Sequence, residues 1–296
     1  MSRKHPVVAV TGSSGAGTTT VKRAFEHIFY RDKVKACVVE GDSYHRYDRK
    51  AMREAVAKYS AEGKSFSHFG AEANLCDELA TLFHEYGESG TGKKRFYLHS
   101  LDEAAAHNQR LGTQLAPGEF TSWEAIESGT DLLFYEGLHG GVVTDTVDVA
   151  QYVDLLIGVV PIVNLEWIQK IHRDNAERGY SQEAIVDTIL RRMPDYIQVI
   201  APQFSRTDIN FQRVSTVDTS NPFITRDIPT PDESFVIIRF QDPAKFSIDF
   251  PYLMAMIGDS FMSRRNSLVV PGGKMGFAME IILTPIIERM MEHRKV

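Results

Sequence analysis

Apolar runs and amphipathic stretches alternate along roughly the first 190 residues, the signature of repeated strand–helix–strand units and a largely parallel sheet. Residues 6–10 form a β-branched apolar run that stops at Thr11 and Gly12, which predicts a buried strand. In residues 18–32, Val21, Ala24, Phe25, Ile28 and Phe29 recur three and four apart, which predicts a helix. The same reading predicts strands over 34–39, 94–98, 132–135 and 153–160. It predicts helices over 49–62, 163–177 and 182–191, with Gly179 closing the second of these. Residues 112–121 carry Gly and Pro and read as loop. Beyond them, 213–217, 235–240 and 267–270 read as strands with shorter connections, an antiparallel extension of the sheet, and 275–291 as a closing amphipathic segment.

No internal repeat, low-complexity tract or linker interrupts the pattern, so a single domain over residues 1–296 is expected. Hydrophobic residues make up 43% and charged residues 24% of the chain, ordinary globular values that exclude wholesale disorder. The net charge of −6 argues against a general nucleic-acid binder, although a local basic pocket for a small anion remains compatible with it. The basic N-terminus is followed by too short an apolar run for a secretory leader. The longest apolar stretch, 152–165, is broken by Asp154 and Pro161 and falls short of the ~20 residues a membrane span needs. Two cysteines, Cys37 and Cys76, give neither a disulfide framework nor zinc-ligand spacing, and a reducing cytoplasm fits them.

The segment Gly12-Ser13-Ser14-Gly15-Ala16-Gly17-Thr18-Thr19-Thr20 lies between a predicted strand and a predicted helix. Its glycines let backbone N–H groups converge on phosphate oxygens, and the helix N-terminus adds positive potential. The frame is that of a phosphate-binding P-loop, with Thr18 where the lysine belongs and Thr19 as the Mg²⁺-facing hydroxyl. A cation from elsewhere must then neutralise the phosphates.

Ligands of open α/β sheets bind beyond the carboxyl ends of the strands, and two acids end strands here. Glu136 follows the apolar run 132–135 and is the candidate Mg²⁺ carboxylate. Asp42 ends the run 34–39 and precedes His45, Arg46 and Arg49. A carboxylate backed by such cations suits a hydroxyl nucleophile on a phosphorylated substrate: Asp42 as the base, His45 and Arg49 on the anionic group. On the predicted helix 163–177 and its end, Lys170, Arg173, Asp174, Glu177 and Arg178 fall within roughly 140° of one face. Leu165, Ile168, His172 and Ala176 take another. A solvated face explains such a pattern by default, but the missing P-loop lysine asks for a cation, and this helix starts at the ligand edge.

Taken together, VTGSSGAGTTT, VVEGDSYHRYDR, FYEGLHGG and IQKIHRDNAERGYS resemble the phosphoribulokinase family in its bacterial form, over essentially the whole chain. The resemblance implies an α/β fold of the P-loop nucleoside-kinase type, a mixed, mostly parallel sheet flanked by helices. It implies phosphorylation of D-ribulose 5-phosphate at O1 by ATP with Mg²⁺, giving ribulose 1,5-bisphosphate for Calvin-cycle CO₂ fixation. It assigns Asp42 as general base, Lys170 to the phosphates and transition state, and Asp174 as a further catalytic acid. Glu136 and Thr19 serve the metal, Gly12 to Thr20 the nucleotide, and His45, Arg49, Arg173 and Arg178 the sugar phosphate. The bacterial form further implies an octameric homo-oligomer activated by NADH and inhibited by AMP, with Arg31, Arg226 and Arg239 as candidate effector residues. The plant type's cysteine switch is missing, since Ala16 stands in the P-loop. The residues leave two other readings open: another P-loop small-molecule kinase, such as a uridine or pantothenate kinase, or a nucleotide-dependent switch protein.

Overall fold

The computed structural model describes residues 4–12, 18–160, 162–224 and 227–294, and of residues 18, 19, 177 and 178 it describes the backbone alone. In chain order the elements are β1 (Val7–Thr11), α1 (Thr18–Arg31), β2 (Ala36–Glu40), α2 (Arg49–Ala61), α3 (Cys76–Ser89), β3 (Lys93–Lys94), α4 (Leu101–Leu111) and β4 (Glu124–Ala125). They continue with β5 (Leu132–Gly137), β6 (Leu155–Val160), α5 (Val163–Arg178), α6 (Gln182–Asp195), β7 (Ile209–Ser215), β8 (Ser234–Phe240), α7 (Phe250–Met256), β9 (Phe261–Arg264), β10 (Ser267–Pro271) and α8 (Met275–Arg294).

Eight strands form one sheet in the order β2-β5-β1-β6-β7-β8-β10-β9. The pairs from β2 to β7 are parallel. Those from β7 to β9 are antiparallel. The mixed, mostly parallel sheet is therefore as the alternation predicts, and the parallel part reaches one strand further, through β7.

Period-two alternation gives the sheet two apolar faces. Val8 and Val10 of β1 and Leu132 and Phe134 of β5 join a core with Phe25 and Ile28 of α1 and Ile282, Leu283 and Ile286 of α8. Val7 and Ala9, with Leu133 and Tyr135, turn the other way onto Leu79, Phe83 and Tyr86 of α3. Each such fully buried side chain contributes on the order of 1.5–3 kcal/mol. The Leu79, Ala80, Phe83, Tyr86 spacing is a plain helical signal in the sequence.

Two expectations change. Residues 94–98 do not enter the main sheet: β3 pairs only with β4, and Tyr97 bridges Phe120. The segment is extended, but its alternate residues turn toward the site described below. The second helix of the 163–191 region also runs on past Arg191 through Pro194 to Asp195 and then into a π-turn over Tyr196–Ile200. Pro194 has no N–H to bond back to Leu190, and the helical ladder gives way to the π-turn just after it. Both thiols are buried and unpaired, as the short strand around Cys37 implies. Among the described residues no helix is long and apolar enough to cross a membrane.

Candidate active site

The carboxyl ends of β2 and β5 both read Glu-Gly, and their register sets Glu40 opposite Glu136. The glycines permit this approach: a Cβ on Gly41 would stand 2.7 Å from the Cα of Gly137 and 2.5 Å from Tyr135 Oη. Gly12 at the end of β1 donates its N–H to Gly137 O at 3.2 Å, so the entry to the glycine loop is tied to the same strand ends. Ser13 to Gly17 lie outside the described residues, as do the side chains of Thr18 and Thr19; Thr20 sits half-buried in the first turn of α1. One turn along α1, Lys22 reaches Glu40 at 3.0 Å. Burial disfavours its charge, but Glu40, Glu136 and Glu26 outweigh that and raise its pKa.

Gln203, which no sequence signal marks, fixes the far side of this entry. Its Oε1 accepts from Thr11 Oγ1 and from Gly141 N, each at 3.0 Å. Its Nε2 donates to Leu138 O at 2.9 Å. The loop after β5 is thereby pinned to the end of β1.

Asp42 sits in a single helical turn just past β2. His45 Nε2 lies 3.2 Å from its Oδ1, and His99 Nε2 3.8 Å from its Oδ2. Burial pushes the Asp42 carboxyl up, but the bond and charge of His45, with His99 and His68, hold it well below the usual carboxylate range. The side chain keeps 43% of its surface, so the carboxylate is cradled yet reachable. Arg49 opens α2, whose N-cap Asp48 accepts from Ala51 N at 2.7 Å. Arg49 N–H donates to Gly118 O at 2.9 Å, and its guanidinium reaches His99 O at 3.3 Å. Asp42, His45, Arg49 and His99 are thus brought together, as the spacing of the first three predicts.

The segment expected as a sheet strand supplies the wall. Arg95 donates to Ser43 O at 2.8 Å and His45 O at 2.6 Å, with its guanidinium 3.8 Å from the Phe120 ring centroid. Tyr97 stands edge-on to His45, and His99 completes the alternation toward Asp42. His68 stacks on His45 with ring centroids 4.0 Å apart. Burial lowers the His68 pKa to about 3 and that of His139, whose Nε2 bonds His68 O at 3.0 Å, to about 4.

On α5 the charged face is not solvated at its centre, unlike the default for such a pattern. Asp174 is 3% exposed and clamped by Lys170 and by Arg173, the latter at 3.0 Å. Burial opposes the Asp174 charge, and the two cations outweigh it and lower its pKa. Lys170 is lowered too, burial dominating over its bond to Asp174. Lys170 lines an apolar slot between α5 and α6 with Phe69, Trp167, Arg192 and Tyr196. His68 and Phe69 therefore connect the two halves: one stacks on His45, the next lines the lysine slot. The side chain of Arg178 lies outside the described residues.

Arg31 closes α1 and bonds Asp32 at 2.8 Å and Thr284 at 2.9 Å. Arg239 lines an open groove with Gln212, Arg264 and Arg265 on the antiparallel part of the sheet. The two share no partner, and Arg226 lies outside the described residues.

A glycine-rich segment between the first strand and the first helix of a mostly parallel sheet, with carboxylates at the adjoining strand ends, is the layout of the P-loop kinases. The chain matches the model of the Phosphoribulokinase / Uridine kinase family over residues 7–220 and belongs to that family. It is 62% identical to the plasmid-borne phosphoribulokinase of Cupriavidus necator over 296 residues, all of this chain and 99% of that protein. It is 60% identical to the phosphoribulokinase of Nitrobacter vulgaris, with the same coverage. A solved phosphoribulokinase from Rhodobacter spheroides superposes with a TM-score of 0.89 at 54% identity, covering 99% of this chain and 100% of that one. The chain is a kinase of this family, which uses ATP and Mg²⁺.

Proposed function

We propose that the chain transfers the γ-phosphoryl group of ATP to O1 of D-ribulose 5-phosphate, giving ribulose 1,5-bisphosphate and ADP. The observation that carries this reading is the Asp42 carboxylate, reachable from solvent yet held by His45 and His99, with the Arg49 guanidinium at the His99 carbonyl. A base beside a cationic anchor fits a substrate bearing both a hydroxyl nucleophile and a phosphate. Uridine has no phosphate for such an anchor.

In this reading Asp42 accepts the C1 hydroxyl proton as the oxygen attacks phosphorus and ADP departs. His45, Arg49, Arg173 and Arg178 hold the sugar phosphate. The backbone of Gly12 to Thr20 cradles the nucleotide, and Lys170 meets the transferring charge that Thr18 cannot. Asp174 keeps Lys170 and Arg173 aimed until ligands draw them away. Among the described residues no cluster of three His, Cys, Asp or Glu forms a metal cage. Mg²⁺ suits such a site, because it keeps its waters and needs only one or two carboxylates plus phosphate oxygens. Glu136 at the end of β5 and Thr19 would hold it, and when bound it neutralises phosphate charge.

The reading extends to one catalytic domain over residues 1–296 and to a cytoplasmic homo-oligomer, an octamer. Such an assembly would be activated by NADH and inhibited by AMP, with Arg31, Arg226 and Arg239 on the effector and subunit-contact surface. These points rest on the resemblance to the bacterial form of the family. ADP release with ribulose 5-phosphate, uridine and pantothenate, with and without NADH, tests the reading. Turnover confined to ribulose 5-phosphate and raised by NADH is expected, and turnover on uridine would overturn the substrate assignment.

A further inference from the structure

Asn74 is buried to 2% exposure, and both its side-chain polar atoms are bonded. Its Nδ2 donates to His68 O at 2.9 Å and Gly70 O at 2.7 Å. Both partners are acceptors, so turning the amide round would set its oxygen against two carbonyls. Asn74 Oδ1 therefore faces His45 Nδ1 at 2.7 Å, and that nitrogen must carry a proton. The other ring nitrogen, Nε2, meets Asp42 Oδ1 at 3.2 Å. A neutral ring with its proton on Nδ1 would offer a lone pair to an ionised carboxylate. Attraction requires a second proton between them.

We propose that Asn74 is a positioning residue that fixes the His45 proton on Nδ1, so that His45 can hold the ionised base Asp42 only as an imidazolium. The ring then does two things at once: its Nε2–H aims the carboxylate, and its charge faces the incoming anionic sugar. Loss of the Nε2 proton turns the pair from attractive to repulsive and releases the base. The proposal rests on the reading of Asp42 as base.

The groups facing the ring agree with this state. On its own turn stands Asp42, and on its stacked face His68, which burial keeps neutral at neutral pH. His139 lies behind His68 and is neutral for the same reason. Tyr97 is edge-on, His99 stands across the carboxylate, and Arg95 donates to the His45 carbonyl rather than the ring. Among these, Asp42 is the group that brings negative charge to His45.

The backbone on the far side of Asn74 is held independently of its side chain. Leu75 N–H donates to Tyr44 O and Arg46 N–H to Ala73 O, each at 2.8 Å. Two variants then separate positioning from packing. Asn74→Asp keeps an acceptor for His45 Nδ1–H and adds a charge that favours the imidazolium. Asn74→Leu removes the acceptor. Both lose the two Nδ2 donors to His68 O and Gly70 O, and Asn74→Asp also sets an oxygen against those carbonyls, so the fold of each variant is checked by its Tm before its pH profile is read.

The test is kcat/KM for ribulose 5-phosphate against pH, with KM for ATP beside it. The alkaline limb should move up in Asn74→Asp and down in Asn74→Leu. Just above the wild-type limb the two should differ about tenfold or more, with KM for ATP within about twofold of wild type. Equal loss in both variants with an unmoved limb would overturn the proposal and leave Asn74 a packing residue. Should either variant fail to fold, ¹⁵N resonances of the His45 ring in the wild-type protein decide the matter. A neutral ring that keeps its proton on Nδ1 is expected, and a neutral ring protonated on Nε2 would overturn it. That readout needs no substrate, so it stands apart from the substrate reading, which fails by wild-type inactivity on ribulose 5-phosphate.

Discussion

Gly41 and Gly137 meet backbone to backbone at the ends of two neighbouring parallel strands: a Cβ on Gly137 would lie 2.6 Å from the Cα of Gly41. This contact sets the spacing between the turn that carries Asp42 and the strand that carries Glu136. A methyl at either glycine must push the strand ends apart.

Gly41→Ala and Gly137→Ala should therefore each lower kcat by about 100-fold, because a displacement of about 1 Å in a catalytic constellation costs that much. Gly276, on α8 with open space where its Cβ would stand, is the control, and its alanine variant should keep wild-type turnover. Steady-state rates of the three variants decide the point. Wild-type kcat in Gly137→Ala would contradict this account of the strand ends.

The buried histidines make stability fall in acid. Burial lowers His139 from 6.5 to about 4, while the unfolded ring takes its proton near the ordinary value. Between those two pH values the unfolded chain binds more protons, so stability is lost as pH falls through the window. The loss from His139 is about 2 kcal/mol at pH 5. His68, lowered to about 3, adds to it. His139→Gln should show a smaller drop in Tm between pH 7.5 and pH 5 than wild type. An identical drop would show that His139 takes up no proton on unfolding in this range.

Asp174 and Lys170 should separate stability from catalysis. Asp174→Asn leaves Lys170 and Arg173 without their shared carboxylate, and removing one partner of a buried pair costs about 3–5 kcal/mol. Lys170→Met leaves Asp174 still bound by Arg173 and should cost clearly less, while kcat falls steeply. Thermal melts and rates on the same samples test both halves. Normal turnover in Lys170→Met would remove that residue from the transfer step.

The parallel sheet and the acids at the ends of β2 and β5 were legible in the sequence because each rests on a local pattern: a β-branched run, a carboxylate after a strand. Asp42, His45 and Arg49 lie within one short segment, so their meeting follows from local geometry. Asn74, His68, His99 and Gln203 were not legible. They reach the site from loops and turns outside the segment that carries Asp42, His45 and Arg49, and no local pattern pairs them with it. Residues 94–98 misled for a related reason. Alternation marks an extended segment but not its partner, and here the alternate residues Arg95, Tyr97 and His99 line the site wall rather than a sheet face. On α5 the charge pattern was legible, but not that its centre is buried. Asp174 is buried because its two cations come from the same helix, at positions 170 and 173, so the cluster satisfies itself away from water.

The most direct test of the account is the Asp42→Asn variant, assayed for ADP release with ATP, Mg²⁺ and ribulose 5-phosphate and titrated separately with ATP. Turnover should fall by several orders of magnitude while ATP still binds with near wild-type affinity. Near-normal turnover would contradict the role of Asp42 as the base and, with it, the reading of this site.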